Sequence, residues 1–208
     1  VDEIIDTPTK AMEKNTDSVV IDTLQKTEVL IDEESLLENL FRFNSEQDLV
    51  DYYGQENVTR GFGYSLGGTT EFPVTVLFKN TDKEISVKWR FGDTTSATLA
   101  GIEFVTTTNT YWQTFEGVKV GKTLKELETL NDSTFWFYGF EWDFGGLAIF
   151  ESGALAPLST RMSLKLKATQ GYSDSDYLQL VGDKKFNSKN LNAQKLNPIV
   201  EMIRLTRS

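Results

Sequence analysis

The 208 residues predict an α+β fold: two tandem repeats, each a short helix followed by a three- to four-stranded antiparallel meander, with the helices packed on one sheet face. Three observations point to it. SEQDLVDYYGQENVTRGFGYSLGG (45–68) aligns without a gap on TLKELETLNDSTFWFYGFEWDFGG (123–146). Each segment opens with a helix-start signal, and each is followed by runs in which apolar and polar residues alternate. Strict identity is only 5 of 24 positions, but the matches are special residues in the same order. Leu49 falls on Leu127, Gly61-Phe62 on Gly139-Phe140, Tyr64 on Trp142, and Gly67-Gly68 on Gly145-Gly146. This reads as an internal duplication, repeat 1 over 35–108 and repeat 2 over 109–208.

Residues 1–34 form an acidic, partly ordered lead-in without a sustained period. Val19, Val20, Ile21 and Val29, Leu30, Ile31 within it have strand composition. From Glu33 the spacing turns helical, with Leu36, Leu37, Leu40 and Phe41 on one side. Ser45-x-x-Asp48 and Thr123-x-x-Glu126 are capping boxes: the hydroxyl accepts from a free backbone N–H, and the acid reaches back to the cap. The helices they open end near Gly54 and Asn131, which tolerate a left-handed C-cap.

Strands are expected at 57–64 and 135–142, then a Gly-Gly turn, then strands at 73–79 and 147–151. In the third strands Ile85, Val87, Trp89 and Phe91 alternate with Ser86, Lys88 and Arg90, and Met162, Leu164 and Leu166 with Ser163, Lys165 and Lys167. One side of each is therefore buried and the other wet. Asn80 to Lys83 supplies a hairpin turn. Fourth strands fit 99–106 and 198–206. Before them the repeats diverge: GDTTSATL in the first, a long 168–197 insertion with a short helix near 188–195 in the second.

The net charge of −10 argues against nucleic acid and against an electrostatic grip on anionic lipid. Cysteine and histidine are absent, which removes disulfides, thiol nucleophiles, imidazole bases and the usual zinc, copper or haem ligands. No cofactor and no metal site is expected. No stretch approaches the roughly 20 apolar residues of a transmembrane helix. The chain starts at Val1 rather than Met, which fits a mature form after signal removal or a trimmed one.

GVKVGKTLKELETLN (117–131) carries Gly-x-Thr-x-x-Glu-Leu-x-x-Leu-Asn ahead of a hairpin. This resembles the helix-start motif of small bacterial envelope and secreted proteins, the SmpA/OmlA-type assembly lipoproteins and the β-lactamase inhibitory proteins. The stretch NDSTFWFYGFEWDFGG also resembles uncharacterised bacterial proteins with a Gly-Phe-x-Trp-Asp-x-Gly-Gly signature, although Asp132-Ser133-Thr134-Phe135 stands where that family has Gly-x-Pro-Phe. The resemblance implies helices on an antiparallel sheet whose open face binds a partner. It implies a periplasmic, cell-surface or secreted location, and it supplies no catalytic residue.

Candidate binding residues are Trp112, Trp136, Tyr138, Trp142 and Asp143. Strand parity sends Trp136, Tyr138, Phe140 and Trp142 one way and Phe135 and Phe137 the other, so this strand is expected to be central. The shared Phe and Tyr/Trp positions have core character, and the functional reading is that some of Trp136, Tyr138 and Trp142 reach an exposed patch for a partner or a sugar ring. Trp112 either joins that patch or staples the repeats. Glu141 and Asp143, two apart on a strand, would share a face at glycosidase spacing, whereas Asp143 alone would serve a tight turn. Asp174 and Asp176 faintly echo a calcium loop but lack its glycine and distal glutamate. GVKVGKT has the wrong glycine spacing for a phosphate loop. The expected function is a non-enzymatic bacterial envelope or secreted binding module that recognises protein through the open sheet face and the 168–197 loop, with an envelope protein or a glycan as the expected partner. A carbohydrate-active protein using Glu141 and Asp143, or a structural lipoprotein domain, are the alternatives.

Overall fold

A computed structural model describes residues 32–90, 101–171 and 174–207. The expected strands at 19–21 and 29–31, nearly all of the acidic lead-in, the GDTTSATL loop and Phe91 lie outside the described residues. The fold is α+β, with antiparallel sheets and short helices around one hydrophobic core.

The chain enters through two 3-10 turns, Glu33–Ser35 and Leu37–Arg42, where the apolar spacing had indicated helix. Helix α1 (Glu46–Tyr53) and helix α2 (Leu124–Asn131) both carry the full reciprocal capping box. Backbone hydrogen bonds hold the Asp48 carboxyl below the usual carboxylate range; at Glu126 the backbone and side chain of Thr123 do the same. Helix α1 ends at Gly54, φ 89°. Helix α2 runs one residue further than expected, and Asp132, φ 48°, takes the left-handed position instead of Asn131. Asn131 is fully buried and works as a hub: its Oδ1 accepts from Leu155 N (2.9 Å), and its Nδ2 donates to Ser133 O (3.1 Å) and Ser152 O (3.0 Å).

Strands β1 (Val58–Tyr64), β2 (Glu71–Leu77), β3 (Ile85–Trp89) and β4 (Ile102–Thr107) form a meander. Strands β5 (Trp136–Tyr138), β6 (Ala148–Ile149), β7 (Met162–Lys167), β8 (Lys185–Asn187) and β9 (Ile199–Thr206) follow. The main sheet has the order β1-β2-β3-β4-β9-β7. The smaller sheet, β6-β5-β8, meets it through an antiparallel bridge between Leu147 and Lys165. Thus β5 is central in its sheet, as its sequence indicates.

Register divides the main sheet into rows. Thr75, Val87, Val105, Leu205 and Met162 pair across five strands, all buried beneath the helices. Val76, Ser86, Thr106, Arg204 and Ser163 form the neighbouring row, which faces the other way. On the helix side, Thr75 Oγ1 donates to Glu46 Oε2 (2.8 Å) and accepts from Trp89 Nε1 (2.8 Å). That ties the start of α1 to the sheet floor.

In the second half the strand expected at 135–142 ends after Tyr138. A Cβ on Gly139 would lie 2.6 Å from Leu180 O and 2.5 Å from Gly182 O, so only glycine fits beneath the 180–182 segment. Phe140 N–H donates to Leu180 O (2.8 Å), and the chain then turns through Glu141 at φ 66°. Expected pairings change as a result. Phe140 is buried at 5 % and stacks on Tyr177, whereas its counterpart Phe62 is 68 % exposed, so that shared position is core in one half only. Tyr64 is exposed too, and Trp142 is part-exposed, so neither is core.

The 168–197 segment supplies α3 (Ser175–Leu178), β8 and α4 (Leu191–Leu196), the last close to the expected helix. Asp174 is the N-cap of α3, accepting from Asp176 N and Tyr177 N, and Asp176 pairs with Lys195 at 3.1 Å. Their spacing is explained by helix capping.

Candidate functional site

The outward face of the main sheet is not left open. Strand β2 pairs with β3 only over Thr75–Leu77, so the outer part of the β1–β2 hairpin is free of its neighbour. It curls back across the sheet. Phe72 meets Phe104 edge-on at 5.6 Å, and Lys88 Nζ lies 5.5 Å from the Phe72 ring. Tyr64 O accepts from Arg204 Nη2 at 2.7 Å, although three strands separate β1 from β9. Two glycines of β1 make the curl possible. A Cβ on Gly61 would press on Val76 at 2.9 Å, and one on Gly63 on Phe72 at 2.8 Å.

The loop at 64–70 then approaches the loop at 142–146: a Cβ on Gly67 would lie 3.7 Å from Asp143 Cβ. Each loop carries the Gly-Gly pair, and the second glycine has φ 71° in one and 78° in the other. Between the loops and the sheet lies a cleft of about 460 Å3. Phe72, Val74, Phe104 and Met202 give it an apolar floor and wall; Ser86, Thr106, Lys165 and Arg204 are its polar groups, and Trp142 and Asp143 close one rim. This size and mixture fit a small-molecule or peptide-end site.

Arg204 is the cleft's main charge. Its Nε donates to Thr106 Oγ1 (3.0 Å), and its guanidinium lies 4.4 Å from the Phe104 ring centre. Desolvation lowers its pKa, opposed by Glu103. Both hydrogen-bond acceptors it meets are neutral.

Of the residues singled out in the sequence, Trp142 and Asp143 line this cleft. Trp142 is held by its own Nε1, which donates to Gly139 O (2.9 Å), and by edge contacts with Tyr138 (5.2 Å) and Phe144 (5.4 Å). Tyr138 is therefore one ring behind the cleft, with Lys185 Nζ over it at 5.4 Å. Trp136 is 38 % exposed on β5 and is not among the lining residues. Trp112 is buried at 1 % and donates to Lys83 O (2.8 Å), so it staples the fold and is no part of this cleft.

Glu141 and Asp143 do not share a strand face, because 139–146 is a turn. The Tyr177 hydroxyl donates to Glu141, while Asp143 faces the cleft. The turn is closed by its backbone, Gly145 N to Trp142 O at 2.8 Å, rather than by the Asp143 carboxylate.

Sequence reasoning missed Phe72, Phe104, Met202 and Arg204. Parity within β9 places Met202 and Arg204 on one face, opposite Ile203 and Leu205, but the curl that encloses them is not a local property. Among the described residues no group of three or more Asp or Glu is placed to hold a metal ion. No helix among them is long and apolar enough to cross a membrane.

No family model matches the chain, and no curated protein matches it. Among solved structures it is similar to the uncharacterized protein yfeY from Escherichia coli, at 11 % identity and a TM-score of 0.40, over 79 % of this chain and 90 % of that one.

Proposed function

We propose that this chain is a non-catalytic binding module of the bacterial envelope or exterior, and that it recognises a partner protein through the cleft on its outward sheet face. The observation that carries this is the cleft itself. A curled hairpin and a glycine turn come from opposite halves of the chain and meet above a sheet row, enclosing an apolar hollow with a half-buried arginine in its wall. The envelope assignment rests on the resemblance of 117–131 to envelope and secreted proteins.

The duplication is part of this reading. Both capping boxes, both positive-φ second glycines and a strand order that places the two fourth strands, β4 and β9, side by side support it. The carbohydrate-active alternative loses its geometric premise, since Glu141 and Asp143 lie in a turn and not on one strand face, and Glu141 accepts from Tyr177.

The test uses a photo-crosslinking amino acid in place of Phe144, which stands exposed beside the cleft. It is introduced alone and together with Ser86→Trp, which fills the hollow. A crosslinked product from host-cell extract is expected for the first protein and is lost from the second at equal melting temperature. The same product from both, or none from either, overturns the proposal.

A further inference from the structure

We infer that the chemical group this cleft selects is a carboxylate carried at the end of an apolar body, with Arg204 and Lys165 as its anchors. The inference rests on the cleft being the binding site and goes further by naming the class of ligand.

An arginine is kept half-buried here, in a chain with a net charge of −10 and 31 acidic residues. Burying a guanidinium is costly unless an anion or several acceptors compensate. Among the described residues no carboxylate lies within ion-pair distance of Arg204, nor of Lys165. Acidic residues that could have served are present. Glu103 influences Arg204 only at longer range, and Asp143 lines the same cleft without pairing with either cation. The fold therefore places two cations in one cleft with neither neutralised by a salt bridge from the described residues.

The guanidinium is nonetheless fixed in direction. Nε is held by Thr106 and one Nη2 proton by Tyr64 O, and the Phe104 ring supports its face. Among the described residues two of its five N–H donors are taken, which leaves both Nη1 protons and one Nη2 proton. Two of these, one on each Nη, can meet the two oxygens of a carboxylate end-on. Lys165 adds a second cation from β7, on the strand next to β9. The remaining wall is Phe72, Val74, Phe104 and Met202, which demands an apolar body behind the anion. A doubly charged, fully hydrated phosphate suits that wall poorly. Two sources share the required chemistry: the free C-terminus of an apolar peptide segment and a fatty acid. Asp143 on the rim disfavours further negative charge near the mouth.

Two pairs of probes separate the sources and test the anchor. One is an apolar pentapeptide with a free C-terminus against its C-terminal amide; the other is decanoate against decanol. Titration calorimetry with the wild-type protein at low and moderate salt is the readout. We expect one acid to bind at least about 10-fold tighter than its neutral twin, as charge-assisted hydrogen bonds require, with the margin shrinking in salt. Lys165→Met should narrow the margin. Arg204→Gln should abolish it, and where that variant fails to fold the wild-type comparison still decides. If acid and neutral forms bind alike, the carboxylate inference is overturned while the cleft remains a binding site. If neither pair binds, the inference is overturned, and the crosslinking experiment with Ser86→Trp decides separately whether the cleft binds anything.

Discussion

Replacing Asn131 with alanine should be among the most damaging single changes outside the cleft, and its cost can be worked from the bonds it holds. The side chain is fully buried at the end of α2. Alanine leaves the Leu155 N–H, itself fully buried, without its Oδ1 acceptor; an orphaned buried donor costs about 1–3 kcal/mol. The carbonyls of Ser133 and Ser152 lose their Nδ2 partner, but both residues lie near solvent, so each contributes only the ordinary net value of about 0.5–1.5 kcal/mol. The sum is about 4 kcal/mol. For a protein of this size a change of 1 kcal/mol moves the melting temperature by about 2–4 °C, so a fall of about 8–16 °C is expected in a thermal melt. Asn131→Asp separates the contributions, because it keeps the acceptor for Leu155 but aims a charge at two carbonyls. A loss of less than about 1 kcal/mol for the alanine variant in urea titration would refute the reasoning, since it would mean that the 151–155 segment does not depend on this side chain.

Three further expectations follow from the same kind of reading. Gly68→Ala and Gly146→Ala impose a similar left-handed strain of about 1 kcal/mol, but a Cβ at 146 would sit 1.9 Å from Leu166 O while one at 68 meets nothing within 4 Å. The first should be mild and the second should unfold the junction between the two sheets, as compared by denaturant midpoints. On acidification, stability should fall below about pH 4.5, because Glu128 has its pKa lowered from 4.5; burial opposes the shift, and hydrogen bonds from Lys189, Ser188 and Gln194 outweigh it. A depressed carboxylate contributes above its unfolded pKa and loses that contribution as pH falls through the folded one, so Glu128→Gln should flatten this limb of a stability-against-pH curve. Above pH 10 the opposite group acts: burial holds Tyr53 up at about 12, so stability falls between 10 and 12, and Tyr53→Phe should remove that loss.

Much of the frame was legible because it is local. Ser45 with Asp48 and Thr123 with Glu126 are three residues apart, and β3, β7 and β9 bury one face, so chemistry within a few positions settles each. The site was not, because its parts are brought together by distant packing. The β5 strand ends at Tyr138 since residues 180–182 arrive from far along the chain to sit on Gly139. Arg204 reads as an ordinary outward charge on a strand until the hairpin from 61–72 is folded over it. Trp112 shows the reverse case: a tryptophan in a polar linker looks like a surface anchor, yet Lys83 O and the surrounding core give it a buried place.

The seam between β4 and β9 has a consequence for how this protein comes off the ribosome. Nearly a hundred residues separate Thr106 from Arg204, its partner across that seam. Until residues 199–206 have been synthesised, β4 and β7 each present a bare edge, and no local contact can substitute. The nascent polypeptide must therefore wait with two unsatisfied ribbons, and a stop codon placed before position 199 would leave a product prone to clump rather than a smaller working protein.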